Sequence, residues 1–222
     1  MDSLPKLLEG LNITLILTFI SILIGLVIGI TLALGRVYGN KIISSFCIGY
    51  IEIIRGTPLL VQLFLIYFGL PFIGISMTPL SAALLGFSLN SGAYQAEYLR
   101  GSVQSIPSGQ MIAARTLGMT KLKSIQNIIL PQALRISIPA WSNELIYLLK
   151  YTSIAYLITV EELTAEGFFI ASKSFKYIEM FVIIAIIYLV LTVVLTAIID
   201  IIENRLRIPG IGAPESVGLR IV

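Results

Sequence analysis

Residues 12–34 read NITLILTFISILIGLVIGITLAL, without a single charged side chain. An α-helix needs ~20 apolar residues to cross a hydrocarbon core, so this run alone is long enough to span a membrane. Four further runs follow it: Thr57–Met77, uncharged and opening on Pro58, where proline costs least; Pro79–Tyr98, interrupted by Glu97; Ile136–Val160, carrying Glu144 and Lys150; and Tyr177–Ile199, followed by Asp200, Glu203, Arg205 and Arg207. Ile42–Ile54, which contains Glu52, is shorter and suits a buried or interfacial helix. The first run is too long for a secretory leader, and Asp2, Lys6 and Glu9 precede it instead of a basic cluster, so it reads as a retained anchor. The pattern predicts an all-α membrane protein with five transmembrane helices, at about 12–34, 57–77, 79–98, 136–160 and 177–199. Together they form a single membrane domain over 1–207.

The composition agrees. Of 222 residues, 57% are hydrophobic and only 12% charged, with a mean hydropathy of +0.96. A soluble domain is about 25% charged, so a soluble enzyme, a disordered tail and a nucleic-acid-binding module are excluded as the main reading. The chain has no His and one Cys, Cys47, which excludes a Cys/His zinc site, an intrachain disulfide and a His-based triad. Five spans put the termini on opposite sides. With the N-terminus outside, the inner segments hold Arg36, Lys41, Arg55, Arg100, Arg115, Lys121, Lys123, Arg135, Arg205, Arg207 and Arg220, and the outer ones only Lys6, Lys173 and Lys176. The positive-inside rule therefore predicts the N-terminus outside and the C-terminus in the cytoplasm. Residues 208–222, rich in Gly and Pro, read as a flexible cytoplasmic tail.

The connection over residues 101–135 is the longest and is not featureless. From Ser105 it reads SIPSGQMIAARTLGMTKLKSIQNIILPQALR. Ser108 is a candidate cap for a helix over Met111–Leu117, and Gly118 stops that helix as a left-handed residue would. Leu122–Leu130 forms a second, amphipathic helix closed by Pro131. Two short helices bent at Gly118 make a cytoplasmic hairpin, either an interfacial hairpin without a partner or a docking knob for a soluble protein.

This hairpin resembles the signature of ABC importer permeases, E-A-A, three residues, G, nine residues, I, one residue, L-P. Here Ala113, Ala114, Arg115, Thr116, Leu117 and Gly118 are followed, at the same spacing, by Ile128, Ile129, Leu130 and Pro131. The Glu position is Ile112, so any role of that acid in contacting an ATPase does not carry over. Tyr50–Leu63 (YIEIIRGTPLLVQL), Asn90–Arg100 (NSGAYQAEYLR) and Trp141–Ser153 (WSNELIYLLKYTS) are similar to the polar amino acid uptake permeases, the group with histidine, glutamine and arginine importers. The resemblance covers roughly residues 10–205. It implies a type I ABC importer permease fold in a prokaryotic cell (inner) membrane, with alternating access. The implied partners are a cytoplasmic ABC ATPase dimer, an extracellular or periplasmic solute-binding protein and a second permease subunit, identical or sister. The implied cargo is a polar amino acid. Residues 113–118 would couple to the ATPase. No GxxxxGK[ST] loop is present, so the chain itself is read as binding no cofactor, with ATP and Mg on the partner ATPase.

Candidate pathway residues are the polar groups inside the spans, because a carboxylate in a membrane usually faces a cavity or a partner. Glu144 lies near mid-depth of the fourth span and could take a solute ammonium. It could instead pair with a neighbouring helix, or gate without touching solute; Lys150 stands poorly for its face. Asn90, Ser91 and Asn143 could take a solute carboxylate or serve an amide network. Asn90, Tyr94 and Glu97 form one polar stripe, which Gln62 could join, although a lone amide equally serves as glue between helices. Glu97 and Arg100 share a helix face and read as an ion pair, as do Glu52 and Arg55. Gly25 and Gly29 read as a packing stripe. Two other readings stay open from these residues. One is a secondary transporter, the other a non-transporting sensor with a docking hairpin. Membrane lipid surrounds the chain in every case, and no nucleic acid is expected.

Overall fold

The computed structural model describes residues 3–206, so the expected tail at 208–222 lies outside the described residues. The first helix, α1 (Ser3–Tyr38), extends the first apolar run at both ends. Asn40 then caps α2 (Lys41–Gly56), its side chain accepting the Ile43 amide at 2.9 Å. The run expected at 57–77 is not one straight helix. It divides into α3 (Leu59–Phe64), a π turn (Leu65–Gly69) and a 3-10 turn (Leu70–Ile73) that ends at the left-handed Gly74. Pro71 supplies no amide to an α ladder there. The α3 segment and its two turns leave α2 at a bend of 104°.

Next come α4 (Pro79–Ser105), capped by Thr78, then α5 (Ser108–Thr116), α6 (Lys121–Ser124) and α7 (Leu130–Tyr151). Beyond Tyr151 the chain tightens into a 3-10 segment, Thr152–Ile158. The Thr152 and Ser153 hydroxyls donate to the carbonyls of Leu149 and Lys150 at 2.7 and 2.8 Å, and compete there with the α ladder. A helix that the run of residues 161–176 did not announce, α8 (Leu163–Ser174), precedes the last, α9 (Tyr177–Leu206).

Among the described residues, only α1 and α9 are by themselves long and apolar enough to cross a membrane; the bent pair of α2 and the α3 segment makes a third candidate. The helices α4 and α7 fall short because polar residues dilute them. On α4, Ser88, Asn90, Ser91 and Gln95 are buried, and on α7 Ser137, Ser142 and Glu144. These side chains face protein, so a polar helix interior is compatible with a lipid setting.

The central contact is α1 against α4. A Cβ on Gly25 would stand 3.2 Å from the Gly92 amide nitrogen, and one on Gly29 3.1 Å from that of Ala96. The glycine stripe therefore serves close helix approach. The Gln95 side chain, at the same seam, donates to the Ile22 carbonyl at 3.1 Å and to Ser91 Oγ at 3.0 Å. Leu17 and Ile22 of α1, Phe87 of α4 and Leu145 and Leu148 of α7 form the main core.

At the far end α8 is tied to its neighbours by Glu162. Its carboxylate accepts the amides of Thr164 and Ala165 at 2.8 and 2.9 Å and the Tyr188 hydroxyl at 3.0 Å. The Leu163 amide donates to Thr14 Oγ1 at 3.2 Å, which joins α1 to the same knot. Burial outweighs these donors and pushes the Glu162 carboxyl up to about 7.

Two outcomes are expected. Gly29→Leu forces α1 off α4 and lowers the thermal midpoint of the purified protein, whereas Gly49→Leu, where a Cβ meets nothing, leaves it unchanged. Because Glu162 holds its proton more tightly folded than unfolded, its stabilising contribution is complete below about 4.5 and is lost as pH rises through about 7. The midpoint should fall between pH 5 and pH 8, and Glu162→Gln should flatten that slope. Glu166, pushed up by burial and by Glu161, adds a residual slope in the same direction.

Candidate functional site

Glu144 sits on the buried face of α7, only 7% exposed. Only hydroxyls meet its carboxylate among the described residues: that of Tyr98 on α4, at 3.4 Å, near the limit of such a contact, and that of Ser91 on the same helix. Ser91 lies beside it, and Arg55 is near enough to act on it electrostatically. Lys150, poorly placed for that face by its spacing, turns away: its ammonium lies 4.9 Å from the Tyr147 ring centre, and Tyr147 in turn stacks on Tyr151. Two buried polar atoms one turn away have no partner, Trp141 Nε1 before Glu144 and Ser88 Oγ before Ser91. Around Glu144 there is thus more hydrogen-bonding capacity than the chain itself uses.

Glu97 is the opposite case. Arg36 of α1 and Arg100 of α4 bind its carboxylate, Arg100 at 2.8 Å, and Arg55 of α2 approaches to 3.9 Å. The Arg55 guanidinium also lies 5.1 Å from the Tyr94 ring centre. The expected Glu97–Arg100 pair is present, with two further guanidiniums that the spacing did not announce. The expected Glu52–Arg55 pair is not. Glu52 points elsewhere, and the end of α2 directs Arg55, itself exposed, towards Glu97 and Tyr94, where a carboxylate and a ring face are both available.

The remaining candidates divide. Gln62 donates to the carbonyls of Ile54 and Thr57 at 2.7 and 3.0 Å and accepts from Asn90 Nδ2 at 3.0 Å. The two amides hold the α2–α3 bend to α4. Tyr94 is half-buried above Arg55, Ser91 accepts from Gln95, and Asn143 is exposed, one residue round the helix from Glu144. Sequence reasoning missed Tyr98. Its signal was the four-residue step from Tyr94 along one helix face.

The hairpin at 105–135 is built as a helix, a left-handed turn and a second arm, with two corrections. Ser108 does not cap α5; it is the first residue of the helix, and Pro107 before it makes no side-chain cap. Pro131 does not close the second arm either. Thr120 caps α6, a π turn (Ile125–Ile129) follows, and the arm runs directly into α7, the wider turn accommodating the amide that Pro131 lacks. Gly118 has φ +83°, and the amides of Gly118 and Met119 return to the carbonyls of Arg115 and Ala114 at 3.0 and 3.1 Å. Its Cβ would meet nothing, so only backbone conformation requires glycine there. Met111 and Ile129 fix the hairpin to Val37, Val103 and Ala133, a small core shared with the ends of α1, α4 and α7. Lys121 straps it to α1, its ammonium donating to the Tyr38 carbonyl at 2.9 Å.

Comparison with known proteins places this architecture. Residues 10–208 match the family model described as binding-protein-dependent transport system inner membrane component. The chain is 38% identical over 204 residues to the probable amino-acid ABC transporter permease YckA of Bacillus subtilis, covering 92% of this chain and 90% of that protein. It is 38% identical over 208 residues to the glutamine transport system permease GlnP of Escherichia coli K12, covering 93% and 95%. A crystal structure described as an amino acid ABC transporter with histidines superposes with a TM-score of 0.82 at 40% identity, over 90% of this chain and 94% of that one. The chain therefore belongs to the binding-protein-dependent inner membrane components, as an ABC transporter permease of the amino-acid type.

Proposed function

We propose that this chain is the membrane-spanning subunit of an ATP-driven importer for a polar amino acid, with basic ones among the candidates. In this reading five spans cross the inner membrane, at α1, α2 with α3, α4, α7 and α9, with the N-terminus outside and the C-terminus in the cytoplasm. Two permease subunits, identical or sister, enclose the pathway. A solute-binding protein delivers the cargo, and a pair of cytoplasmic ATPases binds ATP and Mg and performs the hydrolysis. The chain itself hydrolyses nothing and switches between two conformations that its partners bias.

The observation that carries the reading is Glu144, a buried carboxylate that two side-chain hydroxyls, of Ser91 and Tyr98, approach and that no cation pairs among the described residues. A membrane protein keeps such a group only where the carboxylate has work to do. A solute ammonium would complete its hydrogen bonding, with Ser91 and Trp141 Nε1 nearby for the rest of an amino acid. Glu97, saturated by arginine, holds the inner ends of α1, α2 and α4 together and contacts no solute. Residues 113–118 engage the ATPase, and the core shared by Met111, Val37, Val103 and Ala133 passes its movement to three spans.

In proteoliposomes holding the chain with its ATPase and binding protein, Glu144→Gln should lower amino acid uptake by roughly tenfold or more, the value of one charge-assisted hydrogen bond. The ATPase rate evoked by the binding protein should persist. Loss of both together, or loss of neither, would remove Glu144 from the pathway. Gly118→Val places a β-branched residue at φ +83°. It should separate hydrolysis from uptake while membrane insertion persists and the thermal midpoint falls only by the local strain of the turn.

A further inference from the structure

Arg55 keeps an unspent guanidinium beside the buried carboxylates. Glu97, its nearest acid, is already filled. Arg100 donates to both oxygens of that carboxylate, at 3.2 Å to Oε1 and at 3.1 and 2.8 Å to Oε2, and Arg36 donates to Oε1. Arg55 stands 3.9 Å from Oε2, beyond hydrogen-bond length. Its side chain is 37% exposed, and among the described residues no acceptor holds its N–H donors. The Tyr94 ring beneath it and the bend that follows, held by Gln62 and Asn90, fix its position without using those donors.

Glu144 is the complement. Hydroxyls of Ser91 and Tyr98 approach its carboxylate, and no cation pairs with it among the described residues. Tyr94 carries Arg55 and Tyr98 reaches Glu144. The two tyrosines lie one turn apart on α4, so the spare cation and the spare anion stand along one helix face. They are near enough for Arg55 to act on Glu144 electrostatically. Other charges on the two helices stay out of the way: Lys150 is turned to Tyr147, and Glu52 forms no ion pair among the described residues. The buried donors left over near Glu144, Trp141 Nε1 and Ser88 Oγ, are uncharged.

Resting on the importer reading above, we propose that Arg55 and Glu144 are the two poles of a zwitterion site, and that the solute is an α-amino acid with an uncharged polar side chain. Arg55 receives the α-carboxylate, whose two oxygens match the planar fork of a guanidinium. Glu144 receives the α-ammonium. The spare charges then balance only when the solute side chain is neutral. A basic side chain adds a cation with no acid left for it, because Glu97 is filled by arginine. An acidic side chain adds an anion with no guanidinium left for it, because Arg36 and Arg100 are held by Glu97. An unmatched charge in a poorly solvated site is costly. A side-chain amide or hydroxyl instead finds Trp141 Nε1 and Ser88 Oγ. This narrows the polar amino acids to the neutral ones.

The test is direct binding of labelled amino acids to the permease with its ATPase in nanodiscs, without the binding protein, so that selectivity belongs to the membrane subunit. The panel holds glutamine, asparagine and threonine, arginine and lysine, glutamate and aspartate. A neutral member should bind at least roughly tenfold tighter than any charged one. Converting the α-carboxylate of that ligand to the α-amide should weaken its binding to wild type by roughly tenfold or more, the value of a charge-assisted hydrogen bond. Arg55→Gln should weaken binding of the unmodified ligand by a similar factor, and Arg55→Lys, which keeps the charge without the fork, by less. The two losses should not add: the α-amide should bind wild type and Arg55→Gln alike. An α-amide penalty of the same size in both would overturn the carboxylate contact and leave Arg55 as a brace beside Glu97. Tightest binding of a basic or an acidic amino acid would overturn the charge matching. Absence of binding of every panel member to wild type, with uptake driven by ATP and the binding protein intact in proteoliposomes, would overturn this site and leave the importer reading standing. Absence of that uptake as well would overturn the importer reading, and this inference with it.

Discussion

Hydrocarbon offers a carboxylate no partner, so each acid inside this chain is held only by what the chain supplies. Three acids receive three treatments. Glu97 is met by three guanidiniums drawn from α1, α2 and α4. Glu162 accepts two backbone amides and a tyrosine hydroxyl at the start of α8. Glu144 has Tyr98 at 3.4 Å. The first two are satisfied and join helices together. The third is nearly as buried as a core leucine and has two side-chain hydroxyls, Tyr98 and Ser91, but no cation and no backbone amide, and this imbalance supports the pathway role proposed for it.

The position of Glu144 depends on how closely α1 and α4 approach. The glycines at 25, 29 and 92 let the two backbones meet, and that contact fixes the register of α4. Ser91 and Tyr98 then face Glu144 of α7, while Glu97 reaches Arg36 at the C-terminal end of α1. The bend between α2 and α3, held by Gln62 and Asn90, places Arg55 over Tyr94 between the two acids. A short polar seam at the centre of an apolar bundle follows from backbone approach and from two amides. No long-range electrostatic design is needed. The hairpin over 105–135, sharing its core with the ends of α1, α4 and α7, is mechanically continuous with that seam.

Much of this was legible in the residues. The apolar runs, the left-handed Gly118, the packing glycines and the Glu97–Arg100 pair are local patterns, and local patterns survive folding. What was not legible depends on contacts distant in sequence. Arg36 reaches Glu97 across 61 positions, and no spacing rule connects them. Arg55 chose Glu97 and Tyr94 over Glu52 because the end of α2 turns inward, a direction set by the bend that follows. Pro131 reads as a stop in sequence, yet a preceding π turn lets the helix continue through it. The helix α8 was hidden because a short, largely buried helix between two longer apolar runs has neither the length of a span nor a clean amphipathic stripe. Tyr98 was passed over because a tyrosine near a helix end reads as an interfacial residue until its partner is seen.

The central claim is that the chain forms a solute pathway driven by ATP through partner subunits. Its most direct test is uptake of a labelled amino acid panel into proteoliposomes containing the chain, its ATPase and its binding protein, with ATP on the ATPase side. The account predicts that one or a few polar amino acids accumulate only when both ATP and the binding protein are present. Accumulation that persists without ATP and follows an ion gradient would contradict it.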